Sequence, residues 1–390
     1  MIDIVKTDAC VLCRACSTAC PVGAITFTKE HGRFLYPEIR QDICVHCERC
    51  ARVCPALNQP VVREATPKGF VAMSQDQENR GRSTSGGIFY ELARSTLAAG
   101  GYVCGAVFTD DFSVHHVVSQ DPLVVGKMRG SKYVQSDTTG VYEQVQTLLR
   151  QGIPVLFSGC PCQTAALRAY LQKEYDSLLV VDLICHGIPS DASWHTYLSM
   201  QEKKYGAPVT QVSFRSKDKG WHNSSMKLTF ANGKTYLQPI TVDFYFKGFL
   251  QNYLLKESCY QCAVRGYRSG SDITLGDFWG AESEVDVLDD NKGLSAVLVH
   301  TEKGQVALNS LALTIQPVDV SVIEAGNRNL LVSPPQNPER EAYFACVQTR
   351  GEEVAMKKYL KEKPMQTVRR VTRYRLRRIK HALQGRKTLY

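Results

Sequence analysis

Between Gly69 and about Val332, short apolar runs alternate with segments whose apolar residues recur at three and four positions, which predicts an α/β architecture. YVCGAVF (102–108), GIPVLF (152–157), SLLVVDLI (177–184), DITLGDF (272–278) and SAVLVHT (295–301) read as strands. IFYELARSTLAAG (88–100) and QTAALRAYLQKEY (163–175) read as helices with one apolar face. The flanks differ from this middle. Residues 1–58 have no long periodic segment and are dense in cysteine, and QPVVREATPK (59–68) reads as a linker. After SPPQNPER (333–340) the chain becomes helical and increasingly charged. The expected fold class is α/β (α+β overall): a small domain over 1–58, a linker over 59–68, an α/β domain over 69–332 and a helical, basic tail over 333–390.

At 390 residues the chain can bury a sizeable core in two or three domains. Its net charge of +9 is unevenly spread: residues 356–390 hold 13 Lys/Arg against one Glu, or +12, which leaves 9 − 12 = −3 for the rest. A mildly acidic body argues against nucleic-acid binding. MIDIVKTDAC has no basic stretch leading into an apolar one, and the longest apolar run, LLVVDLI (178–184), is far short of a bilayer span. Without an export signal, the 15 cysteines read as reduced metal ligands in a cytoplasmic protein rather than as a disulfide framework.

CVLCRACSTACP (10–21) and CVHCERCARVCP (44–55) share the spacing C-x2-C-x2-C-x3-C-P. This is the bacterial ferredoxin pattern for two [4Fe–4S] clusters, in which the fourth cysteine of each run serves the other cluster. It assigns Cys10, Cys13, Cys16 and Cys54 to one cluster and Cys44, Cys47, Cys50 and Cys20 to the second. The alternative is a pair of zinc knuckles, which rarely use two quartets with this spacing and a trailing proline. Two such clusters conduct single electrons and do no organic chemistry alone.

Seven cysteines remain: Cys104, Cys160, Cys162, Cys185, Cys259, Cys262 and Cys346. The strand over 152–157 leads into SGCPC, and the strand over 177–184 leads into Cys185. If these strands are parallel neighbours joined by the helix between them, Cys162 and Cys185 lie beyond their carboxyl ends, where open α/β sheets bind ligands. CYQC (259–262) adds a C-x2-C pair. Spacing alone leaves two readings open: a third four-thiol cluster site, or small buried residues plus half a zinc site. Cys104 and Cys346 read as buried or inert.

GCPCQTAAL, DLICHG, SCYQC, SDITLGDFWG and GLSAVLVHTEKG occur in the order seen in the beta subunits of coenzyme F420 hydrogenases and dehydrogenases. The chain resembles that family over about residues 69–330. With its N-terminal ferredoxin module it is similar in architecture to the electron-input subunit of F420H2 dehydrogenases. The resemblance implies an FAD, a neighbouring [4Fe–4S] cluster held by Cys162, Cys185, Cys259 and Cys262, a redox partner protein, and a small redox substrate with coenzyme F420 first among them. The family also holds reductases of other substrates, so a ferredoxin-dependent reductase acting on a polysaccharide or lipid precursor is an alternative. A non-catalytic electron-transfer subunit is another. The family commonly has threonine where this chain has Cys160, which makes Cys160 a substitution beside a ligand and a competitor for that place.

A flavin suits this reading physically, because it exchanges hydride on one side and single electrons on the other. No G-x-G-x-x-G follows a strand, so a Rossmann half is not supported. The flavin candidate is RSTSGGIFYEL (82–92), where Ser85, Gly86 and Gly87 precede a helix whose bare amides suit a pyrophosphate. A simple N-cap and turn is the competing reading. Lys132 is a second candidate against an ordinary surface lysine. Arg215 and Trp221, beside Lys217 and His222 in SFRSKDKGWHNSS (213–225), suit a planar anionic partner or form an exposed basic turn. Asp277 faces the site or is a structural carboxylate. No catalytic residue is assigned. The tail segment 366–387 sets Val368, Val371, Leu376, Ile379 and Leu383 on one helical face among arginines, which suits an anionic membrane surface, a partner, or solvent alone.

Overall fold

The computed structural model describes residues 8–30, 34–58, 66–279 and 289–360. Of the linker expected over 59–68, residues 59–65 lie outside the described residues and Lys68 already opens a strand; the amphipathic segment expected over 366–387 lies outside them entirely. No helix among the described residues is long and apolar enough to cross a membrane.

The N-terminal unit is two cysteine loops joined by a hairpin, β1 (Ile25–Glu30) and β2 (Phe34–Ile39), paired antiparallel from Ile25↔Ile39 to Glu30↔Phe34. Each loop runs into a short helix, Ala15–Ala19 or Arg49–Arg52. The two loops repeat one backbone device. Leu12 and Arg14 in the first, and His46 and Glu48 in the second, take positive φ of 57°, 57°, 52° and 60°. Left-handed backbone is disfavoured for such residues by about 1–2 kcal/mol each. The repetition at matching positions therefore marks a required curl of the chain inward on its cysteines.

The second unit is built on a nine-stranded sheet. Its members are β3 (Lys68–Ser74), β4 (Tyr102–Phe108), β5 (Val114–Ser119), β6 (Ser136–Asp137), β7 (Val155–Gly159) and β8 (Leu178–Leu183). Between β8 and the remaining members the chain forms a separate antiparallel sheet of β9 (Val209–Ser216), β10 (Ser225–Phe230) and β11 (Thr235–Pro239). It then returns as β12 (Ile273–Asp277), β13 (Ser295–Val299) and β14 (Leu313–Val318). The strand order is β14-β3-β13-β12-β8-β7-β4-β5-β6. The central β4, β7, β8 and β12 are parallel neighbours, and β13, β3 and β14 continue antiparallel from β12.

All five expected strands form, and Pro161–Leu171 is the helix joining β7 to β8. That helix starts two residues before Gln163, because proline suits the first turn, where its missing N–H is no loss. The central strands are apolar on both faces, as a covered parallel sheet requires. Val155 and Phe157 of β7 join Leu149 and Leu167 in one core, while Leu156 joins Ile88, Leu92 and Met128 in another.

The 209–239 sheet packs with helices Asp191–Tyr205 and Phe244–Leu250 around Trp194, Tyr197, Phe214 and Tyr245. Tyr343, Cys346 and Met356, from helices Arg340–Arg350 and Glu352–Tyr359, are buried in this same core. The described part of the 333–390 segment is therefore packed structure rather than a free tail. Cys104 is fully buried in β4.

Candidate functional site

The thiols of the first expected set are neighbours: Cys10 and Cys54 both act on the Cys13 and Cys16 thiols. Burial is the main cause there: it pushes the Cys13 thiol well up and Cys16 to about 12. Thiols that resist ionisation this strongly become thiolates when a metal supplies the countercharge. Cys20 crosses the other way and lines a cavity of about 740 Å³, open solvent included, with Cys44, Cys47 and Cys50.

The two sets differ in setting. Cys13 shares a core with Tyr142, Val145 and Phe157 of the second unit, Thr138 Oγ1 donates to the Cys13 carbonyl at 2.6 Å, and Arg14 pairs with Asp137 at 3.2 Å. Around the other set, Val45 is 58% exposed and Val22 42%. One set is docked on the large unit and the other faces outward.

A third set lines a cavity of about 590 Å³, open solvent included, to which Cys162, Cys185, Cys259 and Cys262 all contribute. At the end of β7, Cys160 stands as the N-cap of helix Pro161–Leu171, its N–H donating to Gln163 Oε1 at 2.8 Å. This places Cys162 in the first helical turn, facing the cavity. Cys185 follows β8 and is held by Arg265, whose guanidinium donates to the carbonyls of Cys185 and His186, each at 2.7 Å. Cys259 closes the turn Glu257–Cys259, and the Cys262 N–H donates to Ser333 Oγ at 3.1 Å. Burial pushes Cys162 to about 12 and Cys259 to about 11, while the Lys256 ammonium pulls both back. Four converging thiols with cations behind them have the donor chemistry of an iron–sulfur cluster.

Cys160 does not line that cavity. It lines a neighbouring cleft and is hydrogen-bonded to the Cys185 thiol. The two thiols of Cys-Pro-Cys thus serve opposite sides of one wall.

The cleft holds about 1420 Å³, open solvent included, at the carboxyl rim of β7, β8 and β12. Ser83, Thr84, Ser85 and Gly87 form one side of it. No side chain caps helix Ile88–Ala98 there, so its first amides are free of a cap. The loop is stapled to the sheet: the Gly86 N–H donates to Ser295 Oγ at 2.9 Å, its carbonyl accepts from Ser74 N–H at 2.7 Å, and Ser85 Oγ donates to the Leu294 carbonyl. Glycine is needed at 86, since a Cβ would lie 2.4 Å from the Ala72 carbonyl. Arg129, stacked over the Tyr90 ring at 4.0 Å, stands at the same side.

The other candidates take different places. Lys132 lines the cleft, but its ammonium donates to the carbonyls of Lys127, Met128, Arg129 and Gly130 at 3.0–3.3 Å, closing the end of helix Pro122–Met128. Burial pulls it down to about 7. Arg215 and Trp221 are not among the lining residues and stand behind Asp277, which is. Arg215 Nη1 donates to Asp277 Oδ2 at 2.9 Å, and Trp221 Nε1 to Oδ1 at 3.3 Å. Trp221 stacks on Trp279 with centroids 4.6 Å apart. Both are buried because an ion pair and an indole stack exclude water here, so the exposed-turn reading of 213–225 does not hold for them. His222 pairs with Asp289 at 2.7 Å. Sequence reasoning missed Lys256, Arg265, Arg129 and the cleft-lining His116; of these Lys256, three residues before Cys259, and Arg265, three after Cys262, carried a positional signal.

Residues 154–320 match the family model for the C terminus of the coenzyme F420 hydrogenase/dehydrogenase beta subunit, and residues 9–58 match that of the 4Fe–4S dicluster domain. Among solved structures, a chain of the xenon-derivatised F420-reducing [NiFe] hydrogenase complex from Methanosarcina barkeri is 18% identical, with 77% of this chain and 91% of that chain covered and a TM-score of 0.44. No curated protein matches the chain.

Proposed function

We propose, for a chain whose residues 154–320 match the C terminus of the coenzyme F420 hydrogenase/dehydrogenase beta subunit and whose residues 9–58 match a 4Fe–4S dicluster domain, an oxidoreductase with three [4Fe–4S] clusters and one FAD. The clusters are held by Cys10, Cys13, Cys16 and Cys54, by Cys20, Cys44, Cys47 and Cys50, and by Cys162, Cys185, Cys259 and Cys262. The observation that carries the reading is a shared wall. The segment that follows β8 lines both the thiol cavity and the large cleft, with Cys185 flanked there by Leu183, Ile184, Gly187 and Ile188, so a cluster and a cleft-bound cofactor would be neighbours across it.

Flavin bound in the cleft would supply the exchange between hydride and single electrons. The uncapped amides after Ser85, Gly86 and Gly87, with Arg129 beside them, suit its pyrophosphate. Lys132 keeps the far lip of the cleft in place, and Arg215 and Trp221 fix the Asp277 carboxylate at its edge. Coenzyme F420 is the first substrate to test, followed by other hydride acceptors or donors. A redox partner protein would meet the outward Cys44 set, where Val45 and Val22 make an apolar rim. The membrane contact proposed for the basic tail belongs to residues outside those described.

Protein purified without oxygen should carry about twelve irons and one FAD per chain, with the absorbance of both. About eight irons and no flavin would sink this reading in favour of a bare electron relay.

A further inference from the structure

Lys256 is 1% exposed, and its ammonium donates to the Val11 carbonyl and, at 3.2 Å, to Gln135 Oε1. Neither acceptor is charged. A buried ammonium held by neutral acceptors is unfavourable unless an anion lies close. The ionisable groups that act on it most strongly are Cys162, Cys259 and Cys10, and they belong to two different thiol sets. Val11, which follows Cys10, is itself part of the wall of the third cavity. Lys256 therefore stands where the docked ferredoxin set and the third set meet, across 245 positions of sequence. The outward set lines a separate cavity that Lys256 does not reach. Arg265 also lines the third cavity, but it donates to the carbonyls of Cys185, His186 and Asn329 and so serves that set alone.

Resting on the three-cluster reading, we propose that Lys256 is the positioning residue of this junction. It clamps the Cys10 loop to the third thiol set and holds the reduction potentials of those two clusters above the values they would have without it. A cluster on four thiolates is anionic, and reduction adds one more negative charge with no bond made or broken. A fixed cation in a poorly screened site favours that reduced state. At the outward set Arg52 donates to the Cys47 carbonyl at 3.1 Å, but that guanidinium is exposed and screened by solvent, so one electron arriving there is drawn inward.

The test uses the anaerobic holoprotein. Lys256→Gln keeps an amide donor for Val11 and removes the charge; Lys256→Arg restores a charge. Iron is counted and each cluster is titrated by potentiometry with electron paramagnetic resonance. We expect about twelve irons in all three proteins. In Lys256→Gln the docked and third clusters should shift to lower potential while the outward cluster stays, and Lys256→Arg should recover most of the shift. Unchanged potentials, or an equal shift of all three clusters, would overturn the proposal. So would about eight irons in Lys256→Gln against about twelve in the parent, because the residue would then serve assembly. About eight irons in the parent would instead remove the third cluster itself.

Discussion

Replacing Gly86 by alanine should empty the cleft of flavin and leave the clusters intact. The new Cβ would lie 2.4 Å from the Ala72 carbonyl oxygen and 2.9 Å from Ser295 Oγ. The first contact is about 1 Å inside van der Waals range. Ala72 cannot retreat, because β3 is paired there on both sides, with Ser295 of β13 and Ile315 of β14. The loop has to move instead, weakening the 2.7 Å bond from Ser74 and the 2.9 Å bond to Ser295. Two such bonds contribute about 2 kcal/mol and overpacking costs about 1–3 kcal/mol, so the loop position is disfavoured by about 3–5 kcal/mol. If about 1.4 kcal/mol of that falls on binding, flavin affinity drops tenfold, and all of it would give a hundredfold or more. The assay is flavin and iron per chain after anaerobic purification, followed by flavin titration of the stripped protein. Gly81→Ala, where a Cβ meets nothing within 4 Å, is the control and should keep its flavin. Wild-type flavin affinity in Gly86→Ala would refute the placement of the cofactor on this loop. Parallel loss of iron and flavin would show general collapse and refute it equally.

The two thiols of Cys-Pro-Cys should separate cleanly: Cys162→Ser loses about four irons and Cys160→Thr keeps them, and the reverse iron counts would move the ligand to Cys160. His116 provides a pH dependence. Its imidazole is buried between Ser136 Oγ at 2.6 Å and the Ser158 carbonyl at 3.0 Å, and burial, with a smaller contribution from Lys132, pulls it down to about 4 against the opposing effects of the Ser158 bond and Asp137. Its folded pKa lies below the unfolded value near 6.5, so on acidification the unfolded chain takes the proton first. Stability should fall as pH drops from about 6.5 to about 4, by about 3 kcal/mol in total. Anaerobic urea denaturation at stepped pH should show a shallower slope in His116→Gln; identical slopes would discard the assignment.

Much of the chemistry was legible because it is local. The spacing of Cys10 to Cys16 and of Cys44 to Cys50 is set by the reach of one loop around one cluster, so it survives in sequence without any tertiary information. The central strands were legible for a similar reason, since burial on both faces leaves continuous apolar runs. β5, β14 and the whole 209–239 sheet were missed, because half-buried antiparallel strands mix polar and apolar residues with no run to mark them; β6 is two residues long, and β3 was missed although it holds the apolar run 70–73. A charge-rich stretch such as 213–225 read equally as a binding patch or an exposed turn, and neither reading carries the burial of Arg215 and Trp221 by a partner about sixty positions away. Sequence alone determined the two repeated cysteine quartets of a dicluster domain and the alternation that makes an α/β sheet. Only the tertiary structure decided which side of the wall Cys160 and Cys162 face, because that depends on where β7 ends and its helix begins. It alone brought Lys256 to Val11, since a contact between distant segments is selected by the packing of the whole and leaves no periodic trace in either.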